Sequence, residues 1–227
     1  MARRFVQGAL TNLAQIARYY HQRQTPLEEI LQSLQSLKDA AQQVTSIESL
    51  MQLEGKAREA YYEIFDRVLG NPEFAFGKRT RRPPRNRLNA LLSFGNSMLY
   101  TVALSEIYQT HLDPRIGYLH ATNFRRFTLN LDIAEVFKPV LVDRTLFTLI
   151  QKRQIRAEHF AEETAGIYLN EEGRKIFLKA WEERLQATFE HRTLKRHISY
   201  RTAIRSDLYK LEKHLMGEKP YEPFKLR

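Results

Sequence analysis

Apolar residues recur at spacings of three and four along most of this chain, and that period restricts it to helices packed on helices. Phe5, Leu10, Leu13, Ile16, Ala17 and Tyr20 form a first stripe. Thr25-Pro26 predicts the start of a second helix with proline in its first turn, continued by Leu27, Ile30, Leu31, Leu34 and Leu37. A third is predicted from Thr45, with Glu48 in capping-box register, and it stops at Gly70-Asn71-Pro72. Residues 71–87 (NPEFAFGKRTRRPPRNR) read as a loop, because Pro83-Pro84 admits no regular structure. A buried helix is expected over 88–111 and another from near Asp132 to about Lys152. Leu169-Asn170-Glu171-Glu172-Gly173 reads as a cap into a long basic helix or helix pair reaching about Met216. The segment 127–131 is the one piece that could be extended. The reading is all-α: a single multi-helix domain over 1–227 with a basic Pro-rich loop. Tyr61, Tyr62 and Trp181 are expected in the core or at its margin.

Charge narrows the partners. Lys and Arg number 36 against 26 Asp and Glu, a net charge of +10, which favours a polyanion such as nucleic acid. Six of the ten positions 78–87 are basic: Lys78, Arg79, Arg81, Arg82, Arg85 and Arg87. This stretch is either a solvated loop or a phosphate clamp, a task suited to arginine's planar fork of donors. A second basic region, 191–214, carries Arg192, Lys195, Arg196, Arg201, Arg205, Lys210 and Lys213 on an amphipathic helix, as a solvent face or a DNA-facing ridge. Cysteine is absent, which excludes disulfides, thiolate metal sites and cysteine nucleophiles. Gln7, Asn12, Gln15 and Arg18 interrupt any leader-like apolar run, and no segment is long enough to span a membrane, so a cytoplasmic protein without membrane attachment is expected.

Chemistry concentrates in 86–143. After the apolar run 88–108 and the turn at His111-Leu112-Asp113-Pro114 come Gly117-Tyr118-Leu119-His120 and then Asp132-Ile133-Ala134-Glu135. One imidazole and two carboxylates lie within sixteen positions. Carboxylate oxygen suits magnesium or manganese, and an imidazole tilts the choice toward manganese. A helix would place Asp132 and Glu135 on one face, where acids could equally complement the helix dipole. Taken singly, His120 could be a satisfied structural histidine, and Glu54 with Arg58 a solvated ion pair.

These motifs carry a resemblance. Asn89-Ala90-Leu91-Leu92-Ser93-Phe94-Gly95, Gly117-Tyr118-Leu119-His120 and Leu131-Asp132-Ile133-Ala134-Glu135-Val136-Phe137-Lys138-Pro139 resemble the catalytic domain of the CRISPR-associated endonuclease that integrates spacers, the "Cas one" family. Leu53-Glu54-Gly55-Lys56-Ala57-Arg58 resembles its further signature, and the likeness runs from about Phe5 to Tyr221-Glu222-Pro223-Phe224.

The resemblance implies that Glu54, His120 and Glu135 are ligands of a manganese or magnesium ion. Asp132 is implied as an orienting or catalytic carboxylate, and Lys138 as a cation that neutralises phosphate. Gly55 would let a phosphate or a neighbouring helix come close. The implied activity is cleavage and strand transfer on double-stranded, branched or free-ended DNA, with the "Cas two" adaptation protein as partner. In the family a β-rich N-terminal domain builds the homodimer. The chain resembles the helical domain alone, so dimer formation is not expected of it. A catalytically idle DNA-binding domain and a protein-binding helical scaffold are the alternatives.

Overall fold

The computed structural model describes residues 1–23, 25–120, 126–191 and 195–226. Helices α1 (Ala2–His21), α2 (Glu28–Gln43) and α3 (Ile47–Leu69) pack on one another through the stripes expected of them. Phe5, Leu10, Leu13, Ile16 and Ala17 are all buried. The second helix starts later than its proline suggests. Leu27 is fully buried ahead of it, its N–H meets the His21 ring at 3.4 Å, and Glu28 and Glu29 open the first turn. The third is capped by Ser46, whose Oγ accepts from Ser49 N–H at 3.1 Å, and not by Thr45.

Helix α4 (Arg87–Ile107) is capped by Asn86 and ends four residues short of the expected 111. At Gly95 it comes against the centre of the molecule, where an added Cβ would stand 2.7 Å from Val142 Cγ1. That centre is one continuous helical run: α5 (Leu129–Lys138), a π-helical segment (Pro139–Asp143) and α6 (Arg144–Gln151). Every residue of α5 and of the π segment is buried. Pro139 has no N–H to give the Glu135 carbonyl, and the wider turn follows from that loss. Side chains satisfy carbonyls nearby. Asn12 Nδ2 donates to Val136 O at 2.8 Å, and Arg184 Nε and Nη2 donate to Val140 O at 3.2 and 2.9 Å.

Two short antiparallel hairpins correct the all-α expectation. Strands β1 (Phe160–Glu163) and β2 (Gly166–Leu169) pair Phe160 with Leu169. After α7 (Glu171–Gln186), strands β3 (Thr188–His191) and β4 (Arg196–Ser199) pair Thr188 with Ser199, and α8 (Tyr200–Leu215) follows. Of the long basic helix or helix pair expected here, the pair is found, α7 and α8, divided by a hairpin. Four-residue strands give too few alternations to stand out against a helical background. The segment 127–131 is not extended, since α5 already begins at Leu129. Tyr61, Tyr62 and Trp181 are buried as expected.

The last residues fold back over the central run. Tyr221 is fully buried and its hydroxyl donates to Asp207 at 2.7 Å. Phe224 stacks on Phe137 with ring centroids 4.9 Å apart. Asn12 also donates to Phe224 O at 3.0 Å and accepts from Leu226 N–H at 2.8 Å.

Candidate metal centre

A helix buried on all sides that carries Asp132, Glu135, Lys138 and Asp143 must give each charge a partner, because a bare buried ion costs far more than a fold can spare. Each has one. Asp132, with no exposed surface, accepts four hydrogen bonds. Its Oδ2 takes the N–H groups of Tyr118 (2.5 Å) and Leu119 (3.1 Å). Its Oδ1 takes His120 N–H (3.0 Å) and the ring Nδ1 (2.8 Å). The Gly117–His120 loop is thus folded round one carboxylate near the start of α5. An ionised carboxylate only accepts, so His120 Nδ1 must donate, and Nε2 is left with its lone pair. Burial works against protonating His120. The hydrogen bond to Asp132 and the charge of Glu135 outweigh it and raise the imidazole pKa.

Glu135 has its two oxygens divided between two cations. Lys138 Nζ bonds Oε1, and Arg58 Nη2 lies 3.5 Å from Oε2. Arg58 is itself fixed by Asp143, Nη1 to Oδ2 at 3.1 Å, and its guanidinium lies 5.9 Å from the ring centroids of both Tyr61 and Tyr62. Burial alone would raise Glu135. Lys138, Arg58 and His120 overcome it and hold the carboxyl well below the ordinary range. Glu54, half-buried on α3, shows the reverse. Burial first, then the charge and hydrogen bond of Glu135, push it up to about 7. Two carboxyls pressed together with one of them reluctant to ionise is an arrangement that a divalent cation relieves.

The structure therefore places Glu54 and His120, from two separate segments, each within electrostatic reach of Glu135, with Asp132 bonded to His120 and Lys138 to Glu135. Among the described residues no three His, Asp or Glu side chains are gathered as a ready ion cage. Lys138 and Arg58 supply the positive charge at Glu135 instead. In kind the donors fit a divalent ion: two carboxylates, and an imidazole nitrogen whose ring is oriented by a carboxylate behind it. Gly55 beside Glu54 faces open space, with nothing within 4 Å of an added Cβ, so no neighbouring helix uses the room it leaves.

Two participants have no counterpart among the candidate site residues. Arg58 is not a solvated partner of Glu54; it is buried between Glu135 and Asp143. Asp143 lies eight positions beyond Glu135 and comes into range only across the π segment. Its sole sequence signal is a third acid on a largely apolar helical run.

The basic residues divide into two groups. Lys78, Arg81, Arg82, Arg85 and Arg196 are exposed. Arg79 is half-buried, donating to Asn89 Oδ1 at 2.8 Å and Ser93 Oγ at 3.2 Å, and it pins the loop to α4. Arg87 donates to Glu73 O at 3.2 Å. Arg201 and Arg205 both bond the buried Glu106, each at 2.7 Å, and so share one internal carboxylate. Arg192 lies outside the described residues. Among the described residues no helix is long and apolar enough to cross a membrane.

Comparison with known proteins gives the family. Residues 1–183 match the family model described as CRISPR associated protein Cas1. The chain is 51% identical over 224 residues to a CRISPR-associated endonuclease Cas1 of Thermodesulfovibrio yellowstonii, covering 99% of this chain and 68% of that protein. A solved Cas1 protein from Thermotoga maritima superposes with a TM-score of 0.85 at 46% identity, over 97% of this chain and 66% of that one. A Cas6-RT-Cas1–Cas2 complex gives a TM-score of 0.87 at 25% identity, over 100% of this chain and 25% of that one. The chain thus spans about two thirds of the length of the first two. It belongs to the Cas1 family of CRISPR-associated endonucleases, the enzymes that cut and join DNA in CRISPR adaptation.

Proposed function

We propose that this chain carries the metal-dependent phosphodiester chemistry of its family through Glu54, His120 and Glu135, with manganese or magnesium as the ion. The observation that carries the reading is the His120–Asp132 pair set beside Glu135. A carboxylate that fixes the tautomer and aim of an imidazole is the usual support behind a metal-binding histidine. When bound, the cation would polarise a phosphate and activate its attacking oxygen, water for cleavage or a DNA 3′-hydroxyl for strand transfer.

The chain's own residues do the rest. Asp132 orients His120. Arg58, anchored by Asp143, holds Glu135 Oε2, so that Oε1 is the oxygen able to exchange partners. Lys138 bonds that oxygen through a flexible stem and is the cation free to swing toward a scissile phosphate. Exposed Lys78, Arg81, Arg82, Arg85 and Arg196 supply counter-charge for the DNA backbone, with branched or free-ended duplex as the substrate class. The adaptation protein Cas2, present in the solved complexes that this fold matches, is the proposed protein partner.

Calorimetric titration with manganese, alongside nicking of supercoiled DNA, tests the assignment. The parent should bind the ion and nick, and Glu135→Ala and His120→Ala should do neither while remaining folded. Nicking by either variant at the parental rate would refute the ligand set. Salt-sensitive DNA binding without nicking by the parent would favour the DNA-binding reading.

A further inference from the structure

Arg144, half-buried at the start of α6, is an arginine without an acceptor. Among the described residues its guanidinium has no hydrogen bond and no carboxylate within ion-pair distance. Each other buried or half-buried arginine among them donates to an oxygen, from Arg3 on Val44 O at 2.8 Å to Arg205 on Glu106 at 2.7 Å. A guanidinium carries five N–H donors, and withdrawing them from water without acceptors is a cost that the fold avoids everywhere else.

Two more arginines gather at the same place. The guanidinium of Arg144 stands 5.0 Å from the Tyr19 ring centroid, and that of Arg23 stands 4.2 Å from the same ring. Arg184, on α7, has its guanidinium 4.7 Å from the Tyr200 ring and is fixed by Val140 O. Burial, and also the charge of Arg144, lower the pKa of Arg184, so the two guanidinium groups repel each other. Among the described residues neither Arg23 nor Arg184 has a carboxylate partner. Tyr20 lies edge-on to Tyr19, packs on Phe147 and feels all three arginines. Burial nevertheless pushes its hydroxyl up to about 12, so it stays a donor. The cluster is well removed from the metal centre. Arg144 lies nine positions beyond Glu135 on the central run, a rise of about 13 Å. On α3, Phe65, which also stacks on Phe147, lies eleven positions beyond Glu54, about 16 Å.

We propose that Arg23, Arg144 and Arg184, framed by Tyr19 and Tyr20, form a phosphate-binding site separate from the metal centre. A guanidinium pairs with phosphate through two parallel N–H donors, and the Tyr20 hydroxyl offers one more. A phosphate has enough oxygens and charge to answer several cations at once, whereas a carboxylate has two oxygens and a single charge. Bound between Arg144 and Arg184, it turns their repulsion into two attractions. The phosphate is free or belongs to a DNA backbone, and the site's chemistry is the same for both. The site stands whether or not Glu54, His120 and Glu135 hold a metal.

The probe is inorganic phosphate, titrated calorimetrically at constant ionic strength and without divalent cation. The proteins are the full chain, Arg144→Gln, Arg144→Lys and, as a charge control, Lys152→Gln at the exposed end of α6. Because the Arg144 guanidinium makes no hydrogen bond, its variants should keep the parental urea midpoint. The parent should bind phosphate saturably. Arg144→Gln should bind it at least about tenfold more weakly, Arg144→Lys should fall between the two, and Lys152→Gln should match the parent. A blunt duplex is then added as competitor. Displacement of phosphate from the parent, with weaker duplex binding by Arg144→Gln, identifies a DNA backbone as the source, and phosphate affinity unchanged by duplex identifies a free one. No saturable binding by the parent, or parental affinity in Arg144→Gln, overturns the site.

Discussion

Replacing Asp132 by asparagine should cost about 2–4 kcal/mol of stability. The carboxylate accepts two donors on each oxygen: Tyr118 and Leu119 N–H on Oδ2, His120 N–H and Nδ1 on Oδ1. Asparagine turns one oxygen into an NH₂ group: facing Tyr118 and Leu119 it meets two donors, and facing His120 it meets the backbone N–H and forces the ring to its other tautomer, with Nδ1 accepting. Leu119 is fully buried and Asp132 has no exposed surface, so water cannot take over. Leaving a buried donor unsatisfied costs about 1–3 kcal/mol, so one or two cost about 2–4 kcal/mol, against a total of about 5–15 kcal/mol for a domain. Urea unfolding followed by circular dichroism should show the midpoint falling with the slope unchanged. Because His120 loses its fixed aim, manganese affinity measured by calorimetry should fall about 10- to 100-fold. A variant within 1 kcal/mol of the parent, with parental manganese affinity, would refute this account of Asp132.

Other perturbations test separate parts of the molecule. Glu106→Gln releases Arg201 and Arg205 from their shared carboxylate; both arginines are more than 40% exposed, so the stability cost should be about 1 kcal/mol. DNA affinity at low salt should rise in that variant, and a folded variant with lower affinity would contradict it. Log affinity for DNA should fall linearly with log salt with a slope of about −4.5, if Lys78, Arg81, Arg82, Arg85 and Arg196 each meet a phosphate; a slope near zero would exclude them. Burial pushes Asp143 up to about 6, against the opposing pull of Arg58 and Lys138. The fold thus holds this proton more tightly than the unfolded chain does. Its stabilising contribution is complete below about pH 4 and lost as pH rises to about 6. Urea midpoints across that window should decline in the parent and less in Asp143→Asn, and identical profiles would rule the contribution out.

Periodicity made α1, α3 and α4 legible because each turns a regular apolar face to the core. It mistimed the start of α2, where burial of Leu27 and the acids Glu28 and Glu29 decide the boundary and not the proline. It missed both hairpins, whose strands are four residues long. In the candidate site, Glu54, His120, Asp132, Glu135 and Lys138 were picked out through the motifs that carry the family resemblance, since each residue read singly also fits a structural role. Which cation neutralises which carboxylate could not be. The Arg58–Asp143 pair forms across 85 positions and depends on the π segment, a backbone irregularity that a regular period cannot express. Arg201 and Arg205 illustrate the same limit. Spacing put them on an exposed helix, and only the fold sets Glu106 beneath them.

The strap that Asn12 makes with the last residues fixes when, during synthesis, the protein can become dangerous to its host. The helix bearing Glu135 has left the ribosome's active site by residue 138, yet Phe137 lacks its stacking partner until Phe224 arrives, and Asn12 Oδ1 lacks its donor until Leu226 does. At about 5–20 residues per second that interval lasts roughly 4–18 s. Throughout it the nascent chain holds every proposed ligand, with α5 able to pack on α1 and α4 but without this strap across it.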